Sequence, residues 1–539
     1  MDQMKDCCET HGYQCPPQTP VKLPSRVLDV GHEGRGSGIS LKVSTLGEIG
    51  VYVALSHCWG KGPHFKTTTS NILLFQQAID FNALPATFKD AVTVTRRLGF
   101  RFLWIDSLCI IQDNTDDWIK EAALMGSYYK RAVLTIAAAS ASGDQDGFLH
   151  LPREHVPPVA VIPVSVVELN GHLCVSFEAM QDTINANSDD LLLRRVLPPL
   201  REAITKRAWT LQEHLLAPRT LQYTSSELRW ECHQTICSET QLQWSPGITK
   251  HDFVLAGDST HMFSPWYQVL CDYAERSLTV PSDKFYALSG LAREFQSRTQ
   301  ATYVAGLWRE DLLRGLLWSY LCRGRRAVKY RAPSWSWAAM DVVCNAKVDL
   351  ELKDERLEIY PRSVKNKQFD YRENWRKNAE VLNCTIESKD SDPFGAITHG
   401  ELTLRTFCRK WPQDFQYSSD RVFAPPFKVN DGNMGLFGYH PPNMKTNAYY
   451  EPPLKVVCNF DEVPKTENTY FQTDFYLDMT LAFVCLHSPS MVCYALLLKP
   501  APGNDEKFVK IGIAQWPRVL EEGLTQKDVG WERRDIVIV

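Results

Sequence analysis

The chain has 539 residues, 44% hydrophobic and 23% charged, with a formal net charge of -4. That length allows about three to four domains or two large ones, and the composition is that of a globular protein with a sizeable core. The slight negative charge gives no reason to expect nucleic acid, and no apolar run reaches the roughly 18 residues of a membrane span.

The acidic, Cys-rich start lacks the apolar stretch of a signal peptide, so a cytoplasmic protein is expected, with its 16 cysteines mostly reduced. Cys7, Cys8, His11 and Cys15 make a thiolate and imidazole cluster of the kind that suits zinc. A structural zinc normally draws on two well-spaced pairs, and no second pair is evident. The segment is therefore expected to be a tail packed by buried thiols, without metal. Residues 1–48 read as an N-terminal extension, with an extended lead-in at 23–30, a Gly-rich turn and a short strand near 39–43.

Residues 51–56 are an almost wholly apolar run, as expected of a strand covered on both faces. They lead into Ser56, His57, Cys58, Trp59 and Gly60. Pro85 then opens a helix in which Phe88, Ala91, Val92, Thr95 and Leu98 recur at helical spacing, and Gly99 ends it. A second buried strand, 102–106, also runs into polar residues: Asp106, Cys109, Gln112 and Asp113. Asn114 can cap the next helix, with Asp116 and Asp117 suited to its positive end and Trp118, Ala122, Met125 and Tyr129 as its buried stripe. Residues 132–139 form a third strand that runs into Ser140.

Strands and helices alternating at this rhythm predict a parallel sheet with right-handed crossovers. Ligands bind such a sheet outside the carboxyl ends of its strands. Ser56, His57, Trp59, Asp106, Cys109, Gln112, Asp113 and Ser140 should therefore share one edge. Each also has a plain structural reading: His57 capping a carbonyl, Asp106 pairing with an arginine, Trp59 in the core, and Cys109 as a small buried hydrophobe.

Residues 144–200 read as an insertion. After it comes a short amphipathic helix, in which Trp209, Leu211, Leu215 and Leu216 are spaced to bury and Pro218 forces a stop. Glu213 lies four residues after Trp209, on the same face, which puts a carboxylate at the edge of a core. The alternative is a solvated residue paired with Arg207 or Arg219. A helical region at 226–332 follows, with one pattern through Trp266, Tyr273, Tyr286 and Leu288 and another through Trp308, Leu312, Leu316 and Trp318. From 333 to 539 the pattern alternates, as at 400–405, 491–498 and 508–513, and predicts a β-rich domain, an antiparallel sandwich or barrel, with 415–475 rich in loops.

Three ordered blocks closely resemble those of the fungal heterokaryon incompatibility (HET) domain: Tyr52-Val-Ala-Leu-Ser-His-Cys-Trp-Gly60, Leu103-Trp-Ile-Asp-Ser-Leu-Cys-Ile-Ile-Gln-Asp113 and Arg207-Ala-Trp-Thr-Leu-Gln-Glu213. They set a domain at 49–225. Leu23-Pro-Ser-Arg26 and Ala332-Pro-Ser-Trp-Ser-Trp337 also resemble the flanks of large members of that family. HET domains are in turn distantly similar to TIR domains, and the resemblance implies an α/β, flavodoxin-like parallel sheet. Some TIR domains cleave NAD with a glutamate in a Trp-Cys-x-x-Glu motif. Trp209-Thr-Leu-Gln-Glu213 keeps that spacing, with Thr210 in the Cys position, so the resemblance implies Glu213 as the catalytic carboxylate.

The resemblance further implies a role in fungal self/non-self recognition and programmed cell death. NAD or a related nucleotide would be the substrate, with Arg207 and Trp209 beside Ser56, His57 and the other strand-end residues as its binding groups. No cofactor is implied; an incompatibility partner protein and a homo-oligomer are. Breaking the bond from ribose to nicotinamide passes through an oxocarbenium-like state that a well-placed carboxylate stabilises. The competing reading is a non-catalytic interaction module whose strand-end polar groups only satisfy one another. A thiol hydrolase built on Cys58 or Cys109 with His57 is disfavoured, because His57 and Cys58 are neighbours that would point apart on a strand.

Overall fold

The apolar runs around residues 52, 102 and 134 lie side by side at the centre of one eight-stranded sheet. In the computed structural model, the described residues are 2–12, 15–32, 38–150, 159–166, 169–176, 202–239, 249–254, 262–320, 324–342, 357–359, 375–377, 379–389, 392–410, 423–424, 456–460, 480–487, 492–517 and 532–539. They fall into two compact units, Met1–Val254 with Arg276–Leu278, and Leu255–Glu275 with Thr279–Val539.

In the first unit, helix α1 (Asp2–Thr10) precedes strands β1 (Arg26–Asp29), β2 (Ser40–Val43) and β3 (Tyr52–Ser56). Helix α2 (Ala86–Arg97), strand β4 (Phe102–Trp104), helix α3 (Thr115–Arg131) and strand β5 (Leu134–Ala137) follow. Helix α4 (Trp209–Leu216) then leads into β6 (Arg219–Tyr223), β7 (Leu228–Cys232) and β8 (Ile236–Ser238). The strands lie in the order β8-β7-β6-β5-β3-β4-β1-β2.

The four central strands run parallel, with Val53 opposite Leu103 on one side and Leu134 on the other, and Thr220 opposite Thr135. Antiparallel pairs close both flanks, so the sheet takes in strands from before residue 49 and after residue 225. The expected parallel core is thus present inside a mixed sheet. Its apolar character follows from burial on both faces: Tyr52, Val53, Ala54, Leu55, Leu103, Trp104, Leu134 and Ile136 are all at or below 1% exposure.

The helix boundaries follow the local chemistry. Pro85 precedes α2, and Gly99 just beyond it adopts φ +81°. The Asn114 side chain accepts from the Asp117 amide at 3.0 Å, which caps α3 as its sequence predicts. Asp117 also takes Arg26 Nη2 at 2.5 Å and the Ile111 amide at 2.8 Å, fastening strand β1 to the loop below β4. Most of 144–200 lies outside the described residues. Within it, Val159–Val166 and Leu169–Ser176 pair as an antiparallel hairpin. Among the described residues no helix is long and apolar enough to cross a membrane.

The second unit carries helices Ser264–Ala274 and Tyr286–Thr299, in line with the first of the two helical patterns. The second pattern is corrected: a 3-10 turn at Arg309–Asp311 and the single α turn Leu312–Gly315 are helical, while Leu307–Trp308 and Trp318–Tyr320 are strands. Trp308 and Trp318 are wholly buried, so their spacing reflects enclosure on every side rather than one apolar helix face. The indoles of Trp266 and Trp337 both donate to the Gly306 carbonyl, at 3.0 and 3.3 Å.

Beyond residue 375 the expected β-rich region forms a nine-stranded sheet. Its pairings close a ring through Ile397–Lys410, Thr480–His487, Val492–Ala501, Asn504–Pro517 and Glu532–Ile538, parallel only between the last two. Most of 415–475 lies outside the described residues.

Two loops at the carboxyl edge of the first sheet touch backbone to backbone. Gly60 adopts φ +83°, and a Cβ there would stand 2.7 Å from the Gly143 Cα. Gly60→Ala therefore meets both backbone strain and a steric clash, whereas Gly62→Ala, at φ +110° with open space around it, meets only strain. Denaturant titration should show Gly60→Ala losing about 2 to 3 kcal/mol and Gly62→Ala about 1.

Candidate functional site

The carboxyl edge of the parallel strands is where chain direction changes, and backbone groups there need partners from side chains. Ser56 is the last residue of β3, and its hydroxyl donates to Glu213 Oε2 on α4. Glu213 is 3% exposed and Ser56 also 3%, so the carboxylate is held inside the domain instead of on a solvated helix face. Arg207, just ahead of α4, reaches back and donates to the His57 carbonyl. Arg219, its other expected partner, lies elsewhere, at Cys7 and Pro16.

His57 is 2% exposed, with Nε2 at 3.1 Å from Asp144 Oδ1 and Nδ1 at 3.8 Å from Asp106 Oδ1. Trp59 Nε1 donates to Asp106 Oδ2 at 2.9 Å, and Gln112 Nε2 donates to the Asp106 carbonyl at 3.1 Å. His64 adds its Nδ1 at 3.5 Å from Asp144 Oδ2. One connected cluster thus joins Ser56, His57, Trp59, Asp106, Gln112, Arg207 and Glu213.

The remaining expected residues are placed apart from it. Asp113 is exposed and accepts from the Thr69 amide and hydroxyl at 2.8 and 2.7 Å. Ser140 donates to the Tyr223 carbonyl at 3.3 Å. Cys109 is fully buried, and burial pushes its thiol up to about 12. Trp209 packs edge-on against Trp118, ring centroids 6.4 Å apart, and anchors α4 to α3.

Asp144 and His64 belong to the neighbourhood without having been singled out in the sequence, and Tyr129, expected only in the buried stripe of α3, reaches it as well. Tyr129 donates to the Leu55 carbonyl at 2.9 Å, and its phenol is pushed well up by burial and then by Glu213 and Asp106. Asp144 follows the third strand on the same edge as Ser56, a signal masked by its place at the start of the insertion.

Burial pushes the Glu213 carboxyl up from 4.5 to about 7, against the opposing pull of Arg207; Asp106 raises it, while the Ser56 hydrogen bond and His57 lower it. Such a group can take up a proton or stabilise an adjacent cation near neutral pH.

Residues 52–213 match the family model of heterokaryon incompatibility protein (HET). This chain carries a HET domain. The matched span runs from the second residue of the apolar run to the buried carboxylate, so Glu213 closes the HET domain as its model defines it. No curated protein and no solved structure matches the chain significantly.

The raised Glu213 carboxyl also sets a stability signature of the HET domain. Because the folded state holds that proton more tightly than the unfolded chain, its contribution is complete below about pH 4.5 and is lost as pH rises through about 7. Glu213→Gln removes that pH-dependent loss. Thermal and denaturant unfolding should show the variant near the parent at pH 4.5 and more stable by roughly 3 kcal/mol at pH 8.

Proposed function

We propose that this HET-domain protein acts in fungal self/non-self recognition and cell death by hydrolysing NAD to release nicotinamide, with Glu213 as the catalytic carboxylate. The observation that carries the reading is the seclusion of Glu213 at the carboxyl edge of a parallel sheet, tied to the last residue of a central strand. Two further features support it. Numbered along the chain, the parallel strands lie second, first, third, fourth, the order found in flavodoxin-like sheets as far as four strands go. The Trp209 to Glu213 spacing is that of the TIR glutamate motif.

In this reading the nicotinamide ribose docks beside Glu213. The positive ring favours the charged carboxylate, which reverses the effect of burial and leaves the group ionised where the oxocarbenium-like charge develops. Nicotinamide departs with the bonding electron pair as a neutral molecule, and water attacks the sugar carbon and releases its proton. Ser56 and Arg207 hold the helix and strand end in register. Since Glu213 is 3% exposed, the loop carrying Trp59 and Gly60 must open to admit substrate. The second unit is assigned partner recognition or restraint of the HET domain.

The near-complete burial of Ser56, His57 and Glu213 also favours a second reading, an interaction module whose polar groups satisfy one another and whose output comes from assembly with a partner. A thiol nucleophile is disfavoured, since burial pushes Cys58 up to about 11 and Cys109 up to about 12.

Purified full-length chain incubated with NAD should yield free nicotinamide, measured chromatographically. Glu213→Gln should lower that rate on the order of a hundred- to a thousandfold while melting at or above the parent temperature. The parent's kcat/KM should decline as pH falls below about 7. A folded Glu213→Gln protein releasing nicotinamide at the parental rate rules out the catalytic role and leaves the assembly reading.

A further inference from the structure

The N-terminal segment and strand β7 meet in a group of four metal-binding side chains. Cys7 lies on α1 and His11 one residue past its end, one helical turn apart, which turns both toward one side. Cys15 is the fourth residue after His11. The fourth member is Cys232, the last residue of β7, brought in from more than two hundred residues away. One donor atom from each of Cys7, His11, Cys15 and Cys232 lies within 4.8 Å of every other. His11 Nδ1 stands 3.6 Å from Cys15 Sγ and 3.4 Å from Cys232 Sγ. Thiolates about 2.3 Å from a tetrahedral metal stand about 3.8 Å apart, so these separations suit a single ion.

We propose that Cys7, His11, Cys15 and Cys232 hold one structural zinc ion, which clasps the N-terminal helix to the β7 end of the HET-domain sheet. Three cysteines and one histidine form a closed tetrahedral set with no position left for water, the form of a structural site rather than a catalytic one.

The surroundings fit that role. His11 points Nδ1 at the sulfurs and sets Nε2 3.3 Å from the Thr235 hydroxyl, so its second nitrogen has the outer partner that orients a metal-bound imidazole. Thr235 N donates to Cys232 Sγ at 3.3 Å from the turn that follows β7. Arg219, 1% exposed, donates Nε to Cys7 Sγ at 3.2 Å. Three thiolates and a neutral imidazole around a divalent cation leave one net negative charge, and the buried guanidinium balances it. Cys8, the other thiol of the N-terminal pair, is not a member of the group.

Binding displaces the three thiol protons and closes a loop spanning most of the first unit, so the metal should contribute to folding. An alternative pairing of two of these thiols as a disulfide would leave an odd sulfur and an unused imidazole.

The test uses full-length chain produced under reducing conditions with zinc, gel-filtered and analysed for metal. One zinc per chain is expected, with X-ray absorption showing about three sulfurs near 2.3 Å and one nitrogen near 2.0 to 2.1 Å. Cys232→Ser should lose the zinc, Cys8→Ser should keep it, and Thr235→Val should weaken binding about 10- to 100-fold. Should Cys232→Ser fail to fold, Co2+ bound to the parent chain supplies the same answer through the visible bands of a tetrahedral thiolate site. Parent chain that retains no zinc and gives no such cobalt spectrum, or whose Cys7, Cys15 and Cys232 titrate as disulfide-bonded, overturns the proposal. So does loss of metal in Cys8→Ser with retention in Cys232→Ser.

Discussion

Keeping a carboxyl out of water is the constraint around which the HET domain is arranged. Burial alone makes the charged form of Glu213 unfavourable, and its neighbours offset only part of that: a hydroxyl from the end of β3, the Arg207 guanidinium nearby, and His57. Two side chains of this neighbourhood are also committed to the backbone at the strand ends. Arg207 satisfies the His57 carbonyl and Tyr129 satisfies that of Leu55. The parallel sheet thus does more than present the cluster. Its terminal carbonyls fix the side chains that tune the carboxyl, so the electrostatics of the site and the hydrogen bonding of the fold cannot be changed independently.

Much of that arrangement could be read from residues alone because the signals are local. The two-sided apolar runs at 51–56, 102–106 and 132–139 have one simple explanation, a covered parallel sheet, and the structure pairs them so. Asn114 and Pro85 mark helix starts through chemistry confined to a few residues. What escaped were features set by distant partners. Asp144 looks like the first residue of an insertion until the contact of Gly60 with Gly143 is seen to bring it under His57. Cys232 has no sequence neighbour that marks it as a partner of Cys7. The Trp308 to Trp318 stretch misleads for a related reason: wholly enclosed chain carries no face-to-face contrast, so the period on which a helix assignment depends is lost.

The two units differ in how they end their sheets. The first flanks its parallel centre with short antiparallel strands, β2 and β8, of four and three residues. Short outer strands offer little unpaired backbone to a neighbouring molecule. The second instead closes five strands of its nine-stranded sheet on one another, and among the described residues the unpaired edges of that sheet fall on the strands attached outside the ring. Both arrangements limit accidental strand addition.

The chain also leaves the first unit and returns to it. Residues 276–278 belong with the HET domain although the residues on either side of them belong to the second unit. They lie against the start of the helix that bears Glu213: the Ala208 amide donates to the Ser277 carbonyl at 3.0 Å, the Ser277 amide to that of Lys206 at 2.7 Å, and Arg276 Nη1 to the Thr210 hydroxyl at 3.1 Å. A protein cut at residue 225 or 254 therefore lacks part of the scaffold under its own carboxylate. A change of activity in such a truncation reports a damaged support as readily as a missing regulator, and the informative dissection severs the chain after residue 278.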